Sequence, residues 1–312
     1  MAETNAPQSE EEFLAMFAQA GSAAEFIRKS FAAGDDERDK GLTDPEDIER
    51  FDDIAYGPDP VWQVLDVYRP KEAAGRILPV IVSVHGGGWV YGDKGRYQFY
   101  CMNLAQRGFA VVNFTYRLAP EFKYPASMED TNLVFRWVLN NADKYGFDAG
   151  HIFAAGDSAG AHILALYCAI CTNKEYAAEY DFSIPQDFAP MAIALNCGAY
   201  KIKESSMDTM TLSIMKDMLP KGGTEEEFEM ISPSLHITGD FPPVFHMTCT
   251  GDFLKKDAPL LGAALLENDV PHIFRYYGDK NKQLGHVFHL NIRSADAKKC
   301  NDDECAFFKT FL

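Results

Sequence analysis

Residues 151–172 read HIFAAGDSAGAHILALYCAICT. A short apolar stretch, His151 to Ala155, runs into Gly156-Asp157-Ser158-Ala159-Gly160, and a longer apolar segment continues to Thr172. A short apolar run closed by glycine reads as a buried strand, and the longer one as a helix. The spacing therefore predicts a strand over 151–155, a sharp turn, and a helix over 159–172. In that setting G-x-S-x-G is the strand-to-helix turn that lifts a serine hydroxyl clear of the backbone. The glycines are needed because so tight a turn leaves no room for side chains beside the serine. Ser158 also opens the helix, where the positive dipole end favours developing negative charge. Five residues alone are a weak signal, and a serine capping a helix among small neighbours is the plain alternative. The strand before and the helix after favour the reactive reading.

Outward from this turn, strand patterns recur at 62–70, 78–84, 109–114, 190–196, 243–249 and 271–277. Helical spacing fits 127–145, 258–268 and 290–311. Strands alternating with helices predict an α/β fold with a mostly parallel, doubly wound sheet covered on both faces. Phe13, Leu14, Phe17 and Ala20, then Phe26, Ile27 and Phe31, predict one or two helices over 11–33. Gly34 to Arg38 reads as a turn, and Asp44-Pro45 as the start of a short helix. Residues 200–240 break the rhythm with a helical pattern of their own, rich in methionine (Met207, Met210, Met215, Met218). So long an excursion reads as a lid, with adaptable methionine surface over a binding site.

The chain has 312 residues, a length that one α/β domain accommodates, and 29 Lys+Arg against 46 Asp+Glu give a net charge of −17. That balance excludes a nucleic-acid backbone as partner and disfavours anionic membrane. No apolar run is long enough to span a bilayer, and the acidic segment 1–12 has no signal-peptide pattern. The seven cysteines show no paired metal knuckles. Cys168 and Cys171 lie in an apolar helical run and read as buried thiols. A reduced, cytoplasmic protein is expected, and the Asn113-Phe114-Thr115 triplet, inside a strand, reads as chance.

His85-Gly86-Gly87-Gly88-Trp89 follows the strand at 78–84. Three glycines let backbone N–H groups converge on one point, as for an oxyanion or a phosphate. The phosphate pattern fails, because Tyr91 stands where G-x-G-x-x-G needs glycine. His85 reads as structural. A serine nucleophile needs a base and an orienting acid, later in the chain in this fold. His286, in a polar loop after the strand at 271–277, is the candidate base, with His289 as competitor; His246 and His272 belong to strands. Asp252, just after the strand at 243–249, is the candidate acid, with Asp257 as competitor, although Asp257 reads more as the cap of helix 258–268.

From about Trp62 onward the chain resembles the α/β-hydrolase superfamily, specifically the hormone-sensitive-lipase-like bacterial esterases. The resemblance rests on His85 to Trp89, Tyr116-Arg117-Leu118-Ala119-Pro120-Glu121 with Tyr124-Pro125-Ala126, Gly156 to Gly160, Ser232-Pro233, Pro242-Pro243, Gly251-Asp252 and His286-Val287-Phe288. It implies Ser158 as nucleophile, His286 as base and Asp252 as acid. It also implies Gly87, Gly88 and Ala159 as oxyanion donors, and a helical cap from about 1–50 and about 200–240 on a single domain. Ala161, Val287 and the run Asp252-Phe253-Leu254-Lys255-Lys256 depart from the family pattern. Trp89, Tyr91, Met207, Met210 and Met215 are the expected substrate contacts, with Tyr200 near them. The expectation is a serine carboxylesterase for small short-chain acyl esters, with no metal and no cofactor, and a homodimer by resemblance. An acetyl- or feruloyl-type esterase of plant-sugar fragments and an inactive ligand-binding protein are the alternatives.

Overall fold

A computed structural model describes residues 21–186 and 188–312. Eight strands form one sheet: β1 (Ile48–Ala55), β2 (Val64–Pro70), β3 (Leu78–Val84), β4 (Ala110–Phe114), β5 (Phe147–Asp157), β6 (Ala192–Asn196), β7 (Val244–Cys249) and β8 (His272–Tyr277). Their order is β1-β2-β4-β3-β5-β6-β7-β8. β2 runs antiparallel to β1 and β4, and every other pairing is parallel. This is the expected mostly parallel α/β sheet. The helices are α1 (Ala23–Asp39), α2 (Lys94–Ala105), α3 (Ala126–Asn140), α4 (Ala142–Tyr145), α5 (Ala159–Thr172), α6 (Lys174–Ala177), α7 (Thr209–Met218), α8 (Glu225–Met230), α9 (Ala258–Glu267) and α10 (Ala295–Lys309).

The near-continuous apolar strands are explained by burial on both faces. Val80, Val82, Ile152, Ala154, Ile193 and Leu195 pack under α3, α5 and α9, beside Phe135, Leu164 and Leu261. Their alternates Ile81, Phe153, Ala194 and Phe245 face α2 and α10, against Tyr97, Leu104 and Phe308. The chain leaves β3 toward one edge and β5 toward the other. The crevice outside the carboxyl ends of these two strands is where such sheets bind ligands.

Four local expectations are corrected. The predicted turn at Gly34 to Arg38 is the last part of α1, closed by ion pairs of Arg38 with Asp35 and Asp39. The predicted helix after Pro45 is the edge strand β1. Ile48 and Phe51 lie on opposite faces of its regular part, one against each core, and a bulge lies between Phe51 and Ile54, with Asp53 at φ 56°. The helix at 127–145 is two, parted at Asn141, and the last helix starts at Ala295. α2 has no counterpart in the sequence reading. Gly95 and its aromatic residues lower its helix propensity, although Asp93 caps it by accepting the Arg96 N–H. Phe13, Leu14, Phe17 and Ala20 lie outside the described residues.

Candidate active site

Ser158 sits between β5 and α5 at φ 51° and ψ −119°, a strained conformation held by its neighbours. A Cβ on Gly156 would lie 2.6 Å from the Gly160 carbonyl oxygen, and one on Gly160 would lie 2.0 Å from that of Val84. The glycines of the turn thus permit direct backbone contact with the end of β3. The Ser158 N–H donates to the Asn196 carbonyl at 2.9 Å, which ties the turn to β6.

The ends of three strands, β5, β7 and β8, bring the reactive side chains together. Ser158 follows β5, Asp252 follows β7, and His286 lies in the loop after β8. His286 Nδ1 is 2.7 Å from Asp252 Oδ1, and His286 Nε2 is 2.9 Å from Ser158 Oγ. The carboxylate fixes the proton on Nδ1, which leaves Nε2 to accept from the serine hydroxyl. Asp252 is buried; its second oxygen accepts from Thr248 Oγ1 at 2.6 Å, and Oδ1 also accepts the Leu254 N–H at 2.9 Å. Burial alone would raise this carboxyl. The hydrogen bond and charge of His286, with those from Thr248 and Leu254, outweigh burial and hold it below the ordinary value.

The glycine loop after β3 faces the same point. The Gly86 N–H is consumed by Tyr97 Oη at 2.8 Å. Among the described residues no hydrogen bond engages the N–H groups of Gly87, Gly88 or Ala159. Gly87 has φ 115°, and a Cβ there would meet the Tyr91 carbonyl at 2.1 Å, so only glycine fits. Tyr97 Oη donates to buried Asp157 at 2.8 Å and so joins the glycine loop to the serine turn. Burial pushes the Asp157 carboxyl up to about 7, against the Tyr97 hydrogen bond.

Two cavities of about 340 Å³ each meet at Ser158 and His286. Trp89, Met207, Met210 and Met215 line the first, together with Ile27 of α1 and Ile214 of α7. Tyr91 lines the second, where its hydroxyl donates to Asp35. Phe31 and Phe253 line both, and sequence reasoning did not assign them. The Phe253 ring lies 4.3 Å from that of His286. Trp89, at φ 62°, donates from Nε1 to His162 Nδ1 at 3.2 Å, and His162 Nε2 in turn donates to the Ile231 carbonyl.

The competitors separate cleanly. His289 is fully buried and outside the relay. Asp257 precedes α9, but its carboxylate accepts the N–H groups of Tyr200 and Lys201 instead of capping that helix. Tyr200 is buried in the core rather than in the site. His85 is structural, with its Nδ1 on the Gly86 carbonyl and its ring stacked 4.0 Å from that of Tyr116.

The family model BD-FAE matches residues 65–255, more than half of the chain and the span that carries Ser158 and Asp252. The chain belongs to the BD-FAE family. Its similarity extends to Esterase LipC of Mycobacterium tuberculosis, 35% identical over 40% of this chain and 31% of that protein. Esterase LipQ of the same organism is 30% identical over 62% of this chain and 47% of that protein. The chain thus spans a third to a half of the length of these relatives. Esterase B from Lactobacillus rhamnosis superposes with a TM-score of 0.84 and 25% identity, covering 96% of both chains. The same esterase with a tributyrin phosphonate inhibitor gives 0.84 and 26%, over 97% of this chain and 96% of that one. The BD-FAE chain therefore has the α/β-hydrolase fold.

Proposed function

We propose that this chain is a serine carboxylesterase acting on small, short-chain acyl esters. The observation that carries the reading is the unbroken relay from Asp252 through His286 to Ser158. Ser158 Oγ attacks the ester carbonyl as His286 Nε2 takes its proton, and Asp252 stabilises the imidazolium that forms. The N–H groups of Gly87, Gly88 and Ala159 receive the tetrahedral oxyanion; such a donor is worth about 3–4 kcal/mol of barrier. His286 then protonates the leaving alkoxide, and water repeats the cycle on the acyl-enzyme. The chemistry calls for no metal or organic cofactor. Trp89, Met207, Met210 and Met215 contact the group in the first cavity, and Tyr91 the group in the second. Each cavity is near the lower end of the range for ligand sites, about 300–1,000 Å³, which favours short groups. α1 and α7, which pack on each other above Gly88, supply the cap on a single catalytic domain. The seven cysteines are all free, as suits a reducing, cytoplasmic compartment.

The test is hydrolysis of p-nitrophenyl esters from acetyl to dodecanoyl, wild type beside Ser158→Ala. Activity is expected to peak at acetyl or butyryl and to vanish in the variant. Folded wild-type protein without Ser158-dependent turnover on any chain length sinks the reading and favours a ligand-binding role.

A further inference from the structure

Beside the His286 imidazole lies a donor set that hydrolysis does not use. Cys197 follows β6 at φ 51°, and Cys249 ends β7; both thiols are buried. Cys197 Sγ donates to Met247 Sδ at 3.8 Å. Cys249 supports the loop that carries His286: its Sγ donates to the Leu284 and Gly285 carbonyls, each at 3.1 Å. Cys197 Sγ, a carboxylate oxygen of Asp252 and a ring nitrogen of His286 all lie within 4.8 Å of one another. Thiolate, imidazole and carboxylate make a zinc-type donor set, and the sulfur selects against magnesium and calcium.

We propose that Cys197, Asp252 and His286 form an inhibitory site for one thiophilic divalent cation, zinc or cadmium, entering through the substrate cleft. His286 lines both cavities and is the ligand a cation meets first. The cation takes the place of the proton between His286 Nδ1 and Asp252 Oδ1. The neutral ring then carries its proton on Nε2, facing Ser158, and that nitrogen no longer accepts the serine proton. The Cys197 S–H bond breaks as the sulfur–metal bond forms, and its proton leaves to solvent. The imidazole proton only changes nitrogen, so one proton is released per cation bound. The inhibition rests on the esterase reading above; the binding does not.

The experiment titrates cadmium into the full chain as wild type, Cys197→Ala and Cys171→Ala. Cys171 is the half-buried thiol of α5, distant from the relay in the fold. The readouts are the cadmium–thiolate charge-transfer absorption, binding stoichiometry, and p-nitrophenyl butyrate hydrolysis relative to each variant's own metal-free rate. Wild type and Cys171→Ala are expected to bind one cadmium with a thiolate band and to lose activity, restored by a chelator. In Cys197→Ala both the affinity and the inhibition are expected to weaken at least tenfold. Cys197→Ser, closer in shape, replaces the alanine variant if that one is unstable. No thiolate band at saturating cadmium, or a band and inhibition that survive loss of the Cys197 thiol, overturns the proposal. Cadmium bound through Cys197 on a chain that hydrolyses no ester without metal leaves the site standing and removes the esterase reading instead.

Discussion

Asp252 accepts three hydrogen bonds, from Thr248, Leu254 and His286, and only the last bears on reactivity. Replacing it by asparagine keeps the volume but puts an amide where the imidazole N–H is received. The ring then turns its proton toward Ser158. Asp252→Asn is expected to lower kcat by about 10³–10⁴-fold with a near-normal KM, and to lower the melting midpoint because the Leu254 N–H loses its acceptor. Steady-state kinetics beside thermal unfolding checks this, and a loss below tenfold makes Asp252 a structural carboxylate. Phe253 makes a different case. It is 68% exposed against His286, an unusual position for so large an apolar ring. Since it borders both cavities, Phe253→Ala is expected to raise KM for butyryl esters several-fold and leave kcat within about twofold, as loss of uniform binding does. An equal fall in kcat and kcat/KM places the ring in the transition state instead.

At the scale of elements, the site depends on the approach of the β5–α5 turn to the end of β3 through glycine. Gly160→Ala puts a methyl carbon 2.0 Å from a backbone oxygen of the strand pair, which no rotamer relieves. A stability loss of about 3 kcal/mol or more is expected, the range of severe core overpacking, read as a lower urea midpoint. Gly75→Ala tests strain without crowding, since it meets only open space at φ 74°, and is expected to cost about 1 kcal/mol. Equal midpoints for the two variants refute the close-approach argument. These glycines were visible in the sequence because turn chemistry is local: Gly86 to Gly88 and Gly156 to Gly160 state their backbone requirement in their own letters. The relay was visible because Ser158 and Asp252 directly follow buried apolar strands and His286 lies in a polar loop between the last strand and the last helix. β1 was not visible, since Asp44-Pro45 carries the start signal of a helix and the bulge after Phe51 interrupts the alternation of the strand. Helix α2 was hidden by Gly95 and its aromatic residues. Phe31, Phe253 and Cys197 were silent for another reason. Their relation to the site comes from tertiary approach of distant segments, and no spacing in the chain records it.

For the whole molecule, buried titrating groups of opposite kind set the pH of greatest stability. Burial pushes the imidazoles of His85, His162 and His246 down to about 4 and that of His289 down to about 3. It pushes the carboxyls of Asp157 and Glu304 up to about 7. In the unfolded chain these groups titrate near their ordinary values, about 6.5 for histidine and about 4 for carboxylates. Between about pH 4 and 6.5 the unfolded chain binds protons on the four imidazoles that the folded one refuses. Over the same interval the folded chain keeps protons on two carboxyls that the unfolded one has lost. Four against two makes stability rise with pH. Above about 6.5 the imidazoles no longer differ between the two states, and the carboxyls alone make stability fall until they ionise near 7. The melting midpoint is therefore expected to climb from pH 4.5, peak at about 6.5, and decline by pH 8. Glu304, held by Asn196 and Tyr100 inside the fold, accounts for about half of the decline, so Glu304→Gln flattens the alkaline side and steepens the acid side, where one carboxyl instead of two then opposes the four imidazoles. A midpoint still rising at pH 8 in the wild type, or an alkaline decline equally steep in the variant, contradicts this balance.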